Sequence, residues 1–299
     1  MIPATTSRLR QAGLDVLATT RLIDATMAED EAAYDVTSKA TVPANLVGIA
    51  AVRTRVDGVV AGLPVAIATL DIATAGKLEI TSVMEDGARI APGDTVLEVR
   101  AHVRPLLAGE RTMLNLLTHL CGIATVTRLW VDAVEGTGAQ IRDTRKTLPG
   151  LRALEKYAVR CGGGVNHRMS LADAALVKDN HVVAAGGVAP AFAAVRAAFP
   201  DLDIEVECDT LDQVKEVVAA GADLVLLDNM DIPTTKAAVQ LCQAAGVRTE
   251  ASGGLTLARA REVAETGVTY LSVGAITHSA PTLDLGLDLT LEGRPDGSA

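Results

Sequence analysis

The chain has 299 residues, 49% of them hydrophobic and 21% charged, with a mean hydropathy of +0.29. That supplies a large core for one domain or two unequal ones, yet no run reaches the ~18 uninterrupted apolar residues of a membrane span, so a transmembrane protein is excluded. With 27 Lys plus Arg against 37 Asp plus Glu, the net charge of −10 excludes a generally basic nucleic-acid binder.

The N-terminal stretch MIPATTSRLRQAGLDVLATTRLIDATMAEDE carries early charges and no long apolar segment, which argues against a secretory signal and for a cytoplasmic protein. Cys121, Cys161, Cys208 and Cys242 form no Cys-x-x-Cys pair, so neither a disulfide scaffold nor an all-cysteine zinc site is expected. Aromatic residues make up only 2%, and the core must be built from Ala, Val and Leu, as suits helices packed on buried parallel strands. Over the first hundred residues, strand-like runs joined by Gly and Pro turns flank a helix near 63–76, giving an α/β sandwich. In EDGARIAPGDTVLEV a hairpin is expected around Pro92-Gly93; no lysine stands at its tip to suggest a carrier domain. A long helix over 110–134 links this domain to the rest.

From about residue 137, strands at 140–146, 175–181, 204–209, 223–229, 248–254 and 269–275 alternate with helices at 149–160, 187–198, 210–220, 231–244 and 255–266. Such a β-α-β-α succession makes a parallel sheet, and six or more units favour a closed or nearly closed barrel. Roughly 160 residues is short for eight units, where ~250 is typical. The segment TLDLGLDLTL begins as an alternating strand, and the last eight or so residues are expected to be disordered.

Between Arg142 and Lys178 stand eight basic and three acidic residues, a local +5 in an acidic chain. Arg145, Lys146, Arg168 and Lys178 fall at strand ends, where barrel active sites are built, whereas Arg152 and Lys156 fall on a helix and are expected to face water. Converging cations imply an anionic ligand, because arginine forks match carboxylate and phosphate geometry. Glu207 and Asp228 end two apolar strands and must be met by a divalent metal, sugar hydroxyls or a lysine. Ser252-Gly253-Gly254 before a helix, with Val273-Gly274-Ala275 after the last strand, suit phosphate, since glycines let backbone N–H groups approach an anion. Cations for one anion, carboxylates for a metal-bound sugar and a phosphate cradle together describe phosphoribosyl transfer to an anionic acceptor.

The segments ERTMLNLLTHLCGIAT, IRDTRKTLPGLRALEKYAVRCGGGVNHRMSLADAALVKDNH, EVECDTLDQ, LVLLDN, EASGG and YLSVGAITHS closely resemble the quinolinate phosphoribosyltransferases, also called nicotinate-nucleotide pyrophosphorylases (carboxylating). The resemblance runs from AEDEAAYDVTSKATVP to LDLGLDL. It implies an N-terminal α/β sandwich (1–110, completed by 280–292) and an incomplete, seven-stranded α/β barrel (111–279), assembled as a homodimer or a higher oligomer of dimers. It implies the conversion of quinolinate and 5-phosphoribosyl 1-diphosphate to nicotinate mononucleotide, carbon dioxide and diphosphate with Mg2+, a step of NAD biosynthesis, and no nucleic-acid or membrane partner. Carried onto this chain, Thr144, Arg145, His167, Arg168 and Lys178 would contact quinolinate, and Arg111 would be lent across the dimer interface. Lys146, Glu207, Asp228, Ser252, Gly253, Gly274 and His278 would bind the phosphoribosyl donor. Lys146, Lys178, Glu207 and Asp228 would carry the chemistry, with Glu207 and Asp228 holding metal directly or through water.

Two departures from the family pattern are local: Tyr34-Asp35-Val36-Thr37-Ser38 replaces an expected Gly-Asp-Val-Thr-Thr, and Cys208 replaces an aliphatic residue. Three alternatives stay open on the residues: a paralogue using another anionic acceptor, a Schiff-base lyase at Lys178, and a non-enzymatic interaction module.

Overall fold

The computed structural model describes residues 1–291. In chain order it contains α1 (Pro3–Gln11), α2 (Val16–Glu29), α3 (Val36–Thr41), β1 (Val47–Thr54), β2 (Gly58–Val59), α4 (Leu63–Ala73), β3 (Leu78–Val83), β4 (Arg89–Ile90), β5 (Thr95–His102) and α5 (Val103–Ala133). There follow β6 (Gln140–Arg142), α6 (Arg152–Cys161), β7 (Ala175–Val177), α7 (Asp179–Ala185), α8 (Val188–Ala198), β8 (Ile204–Cys208) and α9 (Leu211–Ala219). The remainder is β9 (Leu224–Asp228), α10 (Ile232–Ala244), β10 (Arg248–Ser252), α11 (Ala260–Ala264), β11 (Tyr270–Ser272), α12 (Ala275–His278) and β12 (Leu285–Leu291). The alternating strand expected near the end forms β12; the disorder expected of the last eight residues lies outside the described residues.

The chain divides into two compact units, one of residues 1–126, 148–162 and 280–291, the other of 127–147 and 163–279. In the first, an antiparallel sheet of order β12-β1-β5-β3 buries one face against α4 and α5. Alternation in β5 points Leu97, Val99 and Ala101 inward, to a core that also holds Leu63, Ile67 and Leu70 of α4 and Met113, Leu117 and Cys121 of α5; Val96, out of that alternation, is buried as well. β12 pairs with β1 from Gly48↔Leu291 to Thr54↔Leu285, so the C-terminal strand completes the N-terminal sheet.

The division does not fall at residue 110. The first turns of α5 carry Met113, Leu114, Leu117 and Cys121 into the sandwich core, and α6 packs with the same unit, where buried Glu155 meets His119 Nε2 at 2.9 Å. The amphipathic helix expected at 149–160 forms, but its Lys156 is buried rather than solvated and its Arg152 is half-buried. Spacing alone misjudged it because Glu155 and Lys156 lie on the face that packs inward. The Pro92-Gly93 segment makes a turn, not a hairpin: β4 pairs with β2, and β5 with β1 and β3. By composition α5 is long and apolar enough to cross a bilayer, with a mean hydropathy of 1.2 over its apolar stretch. Because 56% of that stretch is buried inside the protein, it behaves as a core helix.

The second unit is a parallel sheet of order β6-β11-β10-β9-β8-β7. A further segment joins its edge: Val165 N–H donates to the Ile141 carbonyl at 2.8 Å and Asp143 N–H to the Val165 carbonyl at 3.1 Å, making a parallel bridge beside β6. The six strands and this seventh segment give the incomplete barrel. Strands begin where expected and end earlier, β6 at Arg142 and β7 at Val177, because the polar residues beyond leave the ladder for the loops at the carboxyl ends of the strands.

Candidate active site

Those loops surround one cavity of about 620 Å³ within the second unit. Thr144, Arg145 and Lys146 reach it from the loop after β6, His167 and Arg168 from the bridge segment, and Lys178 from the end of β7. Glu207 closes β8, Asp228 closes β9, and Ser252, Gly253 and Gly254 follow from β10. Eleven expected site residues therefore share one cavity, supplied by six segments separated in sequence.

The cationic side is built around buried Asp143, which accepts the His167 N–H at 2.8 Å and the Asn166 Nδ2–H at 2.5 Å, fixing the bridge segment to the β6 loop. Arg168 is 9% exposed, and its Nη1 donates to the Ala174 carbonyl at 2.9 Å. Burial and then the neighbouring charge of Arg145 pull its guanidinium below its ordinary value. Like charges so placed make the wall favour an anion. Lys146 is steered by the final loop: its carbonyl accepts the Thr277 hydroxyl at 2.7 Å, and its side chain crosses Gly274, where a Cβ would stand 2.9 Å from Lys146 Cδ and 3.3 Å from His278 Nε2. Gly274, Lys146 and His278 are thus neighbours, although Gly274 and His278 are not among the residues lining the cavity.

Glu207 Oε2 lies 3.5 Å from Lys178 Nζ. Burial raises the Glu207 carboxyl, Lys178 opposes the rise, and the charge of Asp228 adds to it. Asp228 also accepts the Asn229 Nδ2–H at 2.6 Å. Asn229 has φ 52° and donates its backbone N–H to the Ser252 carbonyl at 3.0 Å, tying the β9 and β10 loops together under Gly253.

Arg111 is placed elsewhere. It is exposed on α5 in the first unit and lines a shallow groove with Asn115, Thr118 and residues 282–285; it does not line the cavity.

Several participants escaped the sequence reading. Glu250 of β10, in the cavity wall, and Glu205 of β8, behind it, are 0% and 4% exposed. His167 Nε2 is 2.8 Å from Glu205 Oε2, Arg142 Nη1 is 2.5 Å from Glu250 Oε2, and the Ser272 hydroxyl donates to Glu250. The signal lay in the period of two: Glu205 is on the Glu207 face of IEVEC, and Glu250 on the Ser252 face of RTEAS. Asn229 was visible in LVLLDN without a role.

Comparison with known proteins divides the chain once, within α5. Residues 35–121 match the model of the N-terminal domain of quinolinate phosphoribosyl transferase, and residues 123–288 that of its C-terminal domain. A nicotinate-nucleotide pyrophosphorylase (carboxylating) of Mycobacterium leprae is 54% identical over 258 residues, covering 85% of this chain and 91% of its own. The crystal structure of NadC from Streptococcus pyogenes superposes with a TM-score of 0.88 at 37% identity, covering 93% of this chain and 98% of that one. The nicotinate-nucleotide pyrophosphorylase of Francisella tularensis gives 0.85 at 34% identity, covering 91% and 96%. With both domains matched along most of its length, and with the anion wall, strand-end carboxylates and glycine loops gathered at one cavity, the chain belongs to the quinolinate phosphoribosyl transferase family.

Proposed function

We propose that this protein transfers the phosphoribosyl group of 5-phosphoribosyl 1-diphosphate to quinolinate and releases carbon dioxide and diphosphate, leaving nicotinate mononucleotide. The observation that carries this reading is the single cavity in which Arg145, Arg168 and Lys178 share a space with Glu207, Asp228 and the Ser252-Gly253-Gly254 loop. A dicarboxylate acceptor suits the cations, and Thr144 stands in the same wall. Lys146, Ser252, Gly253, Gly274 and His278 serve the phosphates of the donor, and Glu207 and Asp228 its ribose hydroxyls.

Each residue type has a task in that reaction. As diphosphate departs, C1′ of the ribose gains positive charge, which the carboxylates of Glu207 and Asp228 stabilise, while Lys146 stabilises the negative charge of the leaving group. The acceptor nitrogen attacks C1′ directly, so orientation by Arg145 and Arg168 replaces a general base. Loss of the carboxyl group next to the ring nitrogen as CO2 leaves an electron pair on that carbon beside a positive nitrogen, the carbon then takes up a proton from water, and Lys178 favours the loss by position and charge. The carboxylate oxygens of Glu207 and Asp228, at the ends of neighbouring strands and lining one cavity, fit a hard divalent cation. Glu207 and Asp228 would hold Mg2+ directly or through water, and the ion would supply neutralisation of the departing diphosphate charge.

Purified protein given the donor and Mg2+ should form nicotinate mononucleotide and CO2 one for one from quinolinate and be inert toward nicotinate. Donor binding without turnover on either acceptor would point instead to another anionic acceptor.

A homodimer, or a higher assembly of dimers, in the cytoplasm belongs to the same proposal, with the exposed Arg111 of one copy completing the acceptor site of another. Arg111→Ala and Lys178→Ala proteins, each inactive alone, should complement when mixed and reassociated, restoring about a quarter of wild-type activity if hybrids form statistically. Mixtures that stay inactive while exchanging subunits would remove Arg111 from the shared site.

A further inference from the structure

The acceptor wall rests on a buried polar cluster of which only His167 has a role above. The His167 ring is engaged at both nitrogens: Nδ1 accepts the backbone N–H of Arg168 at 2.7 Å, and Nε2 lies 2.8 Å from Glu205 Oε2 and 3.7 Å from Glu250 Oε1. A ring nitrogen that accepts a hydrogen bond carries no proton, so the proton sits on Nε2 and is donated to Glu205. Two carboxylates in the interior require compensating charge. Arg142 neutralises one of them, with Nη1 2.5 Å from Glu250 and 4.0 Å from Glu205 and its guanidinium stacked 4.6 Å from the Tyr270 ring, and burial pushes both carboxyls up to about 7, which eases the remaining charge. His167 and Glu250 line the cavity; Arg142 and Glu205 do not, so the cluster continues directly behind the wall.

We propose that Glu205 and Glu250, braced by Arg142, are positioning residues that hold His167 in its Nε2–H form and thereby set the Arg168 backbone and guanidinium against the carboxylates of the acceptor. The acceptor then meets a neutral imidazole, and the charge that binds it comes from Arg145, Arg168 and Lys178. His167, Glu205 and Glu250 also bring one ligand atom each within 4.8 Å of one another, as a metal triad would. The guanidinium of Arg142 already stands as the counter-charge of that triad, which makes the cluster an ion-pair brace. For its kinetic readout the proposal rests on the transfer reaction above.

The test compares Glu205→Leu, which keeps volume and removes the acceptor oxygen, with Glu205→Gln, which keeps an oxygen for the His167 N–H. Steady-state kinetics with quinolinate, donor and Mg2+ should show the quinolinate KM rising about tenfold or more in the Leu variant, with the donor KM changed by less than about twofold. The Gln variant should recover most of the loss. Equal rises in both KM values, or identical behaviour of Leu and Gln, would overturn the proposal, as would a stoichiometric transition metal in the purified protein. Nitrogen-15 histidine spectra of the wild-type protein, assigned with His167→Asn, read the tautomer independently. A neutral ring protonated at Nε2 is expected, and a proton on Nδ1 overturns the proposal. That spectrum decides even if Glu205→Leu fails to fold, or if no turnover is found and the transfer reading itself falls.

Discussion

Replacing Lys178 by Ala should lower kcat/KM for quinolinate by about 10²–10³-fold, with nucleotide and CO2 falling together. The ammonium is the cation nearest the strand-end carboxylates, 3.5 Å from Glu207, and half of its side chain remains open to the cavity. Its removal takes one charge from the acceptor wall and leaves Glu207 beside Asp228 with less compensation, so acceptor binding and the decarboxylating step suffer at once. Folding should change little, because a half-exposed ion pair contributes little to stability. Lys178→Arg keeps the charge but not the compact ammonium and should recover only part of the activity. Full turnover by Lys178→Ala would remove the lysine from the mechanism. Borohydride trapping of a substrate adduct on Lys178 would convert its role to that of an amine nucleophile.

The second large effect is expected at Gly253. Its φ of +84° is one that side chains rarely adopt, and a Cβ there would stand 2.2 Å from Asn229 Oδ1 and 2.4 Å from Cγ. Asn229 cannot simply swing away: its amide is bonded to Asp228 and its backbone N–H to the Ser252 carbonyl. Gly253→Ala should therefore shift Asn229 and Asp228 together and raise the donor KM by at least about tenfold, with a backbone strain of about 1–3 kcal/mol appearing as a lower Tm. Gly254→Ala is the control, since its nearest neighbour is Asn229 Oδ1 at 3.8 Å and only the φ of +57° opposes it. Equal donor affinity in wild-type and Gly253→Ala protein, measured by direct binding, would show that the loop does not cradle the phosphate.

How much of this could be read beforehand depended on how local the cause was. The β-α succession, the α5 helix and the order of site loops follow from apolar periods and from glycines at strand ends, each set within a few residues of the element it makes. Arg145, Lys146, Lys178, Glu207 and Asp228 were legible for the same reason: a charge at the end of an apolar strand has nowhere to go but the loop or the cavity it borders. Glu205 and Glu250 were legible only as exceptions, because a glutamate inside a strand is tolerable only when its counter-charge is known.

That counter-charge was decided by the sheet order. β6, β8 and β10 bring Arg142, Glu205 and Glu250 together from positions 45 to 108 residues apart in the chain, and no local pattern encodes such a meeting. The burial of Lys156 and the packing of α6 with the sandwich were decided the same way. The sequence by itself determined the elements, the chemistry of the loops and the class of ligand, since these depend on short-range periodicity and on the cost of burying charge. Only the tertiary structure decided which buried charges neutralise one another and where the units divide, because those balances join strands and helices distant along the chain.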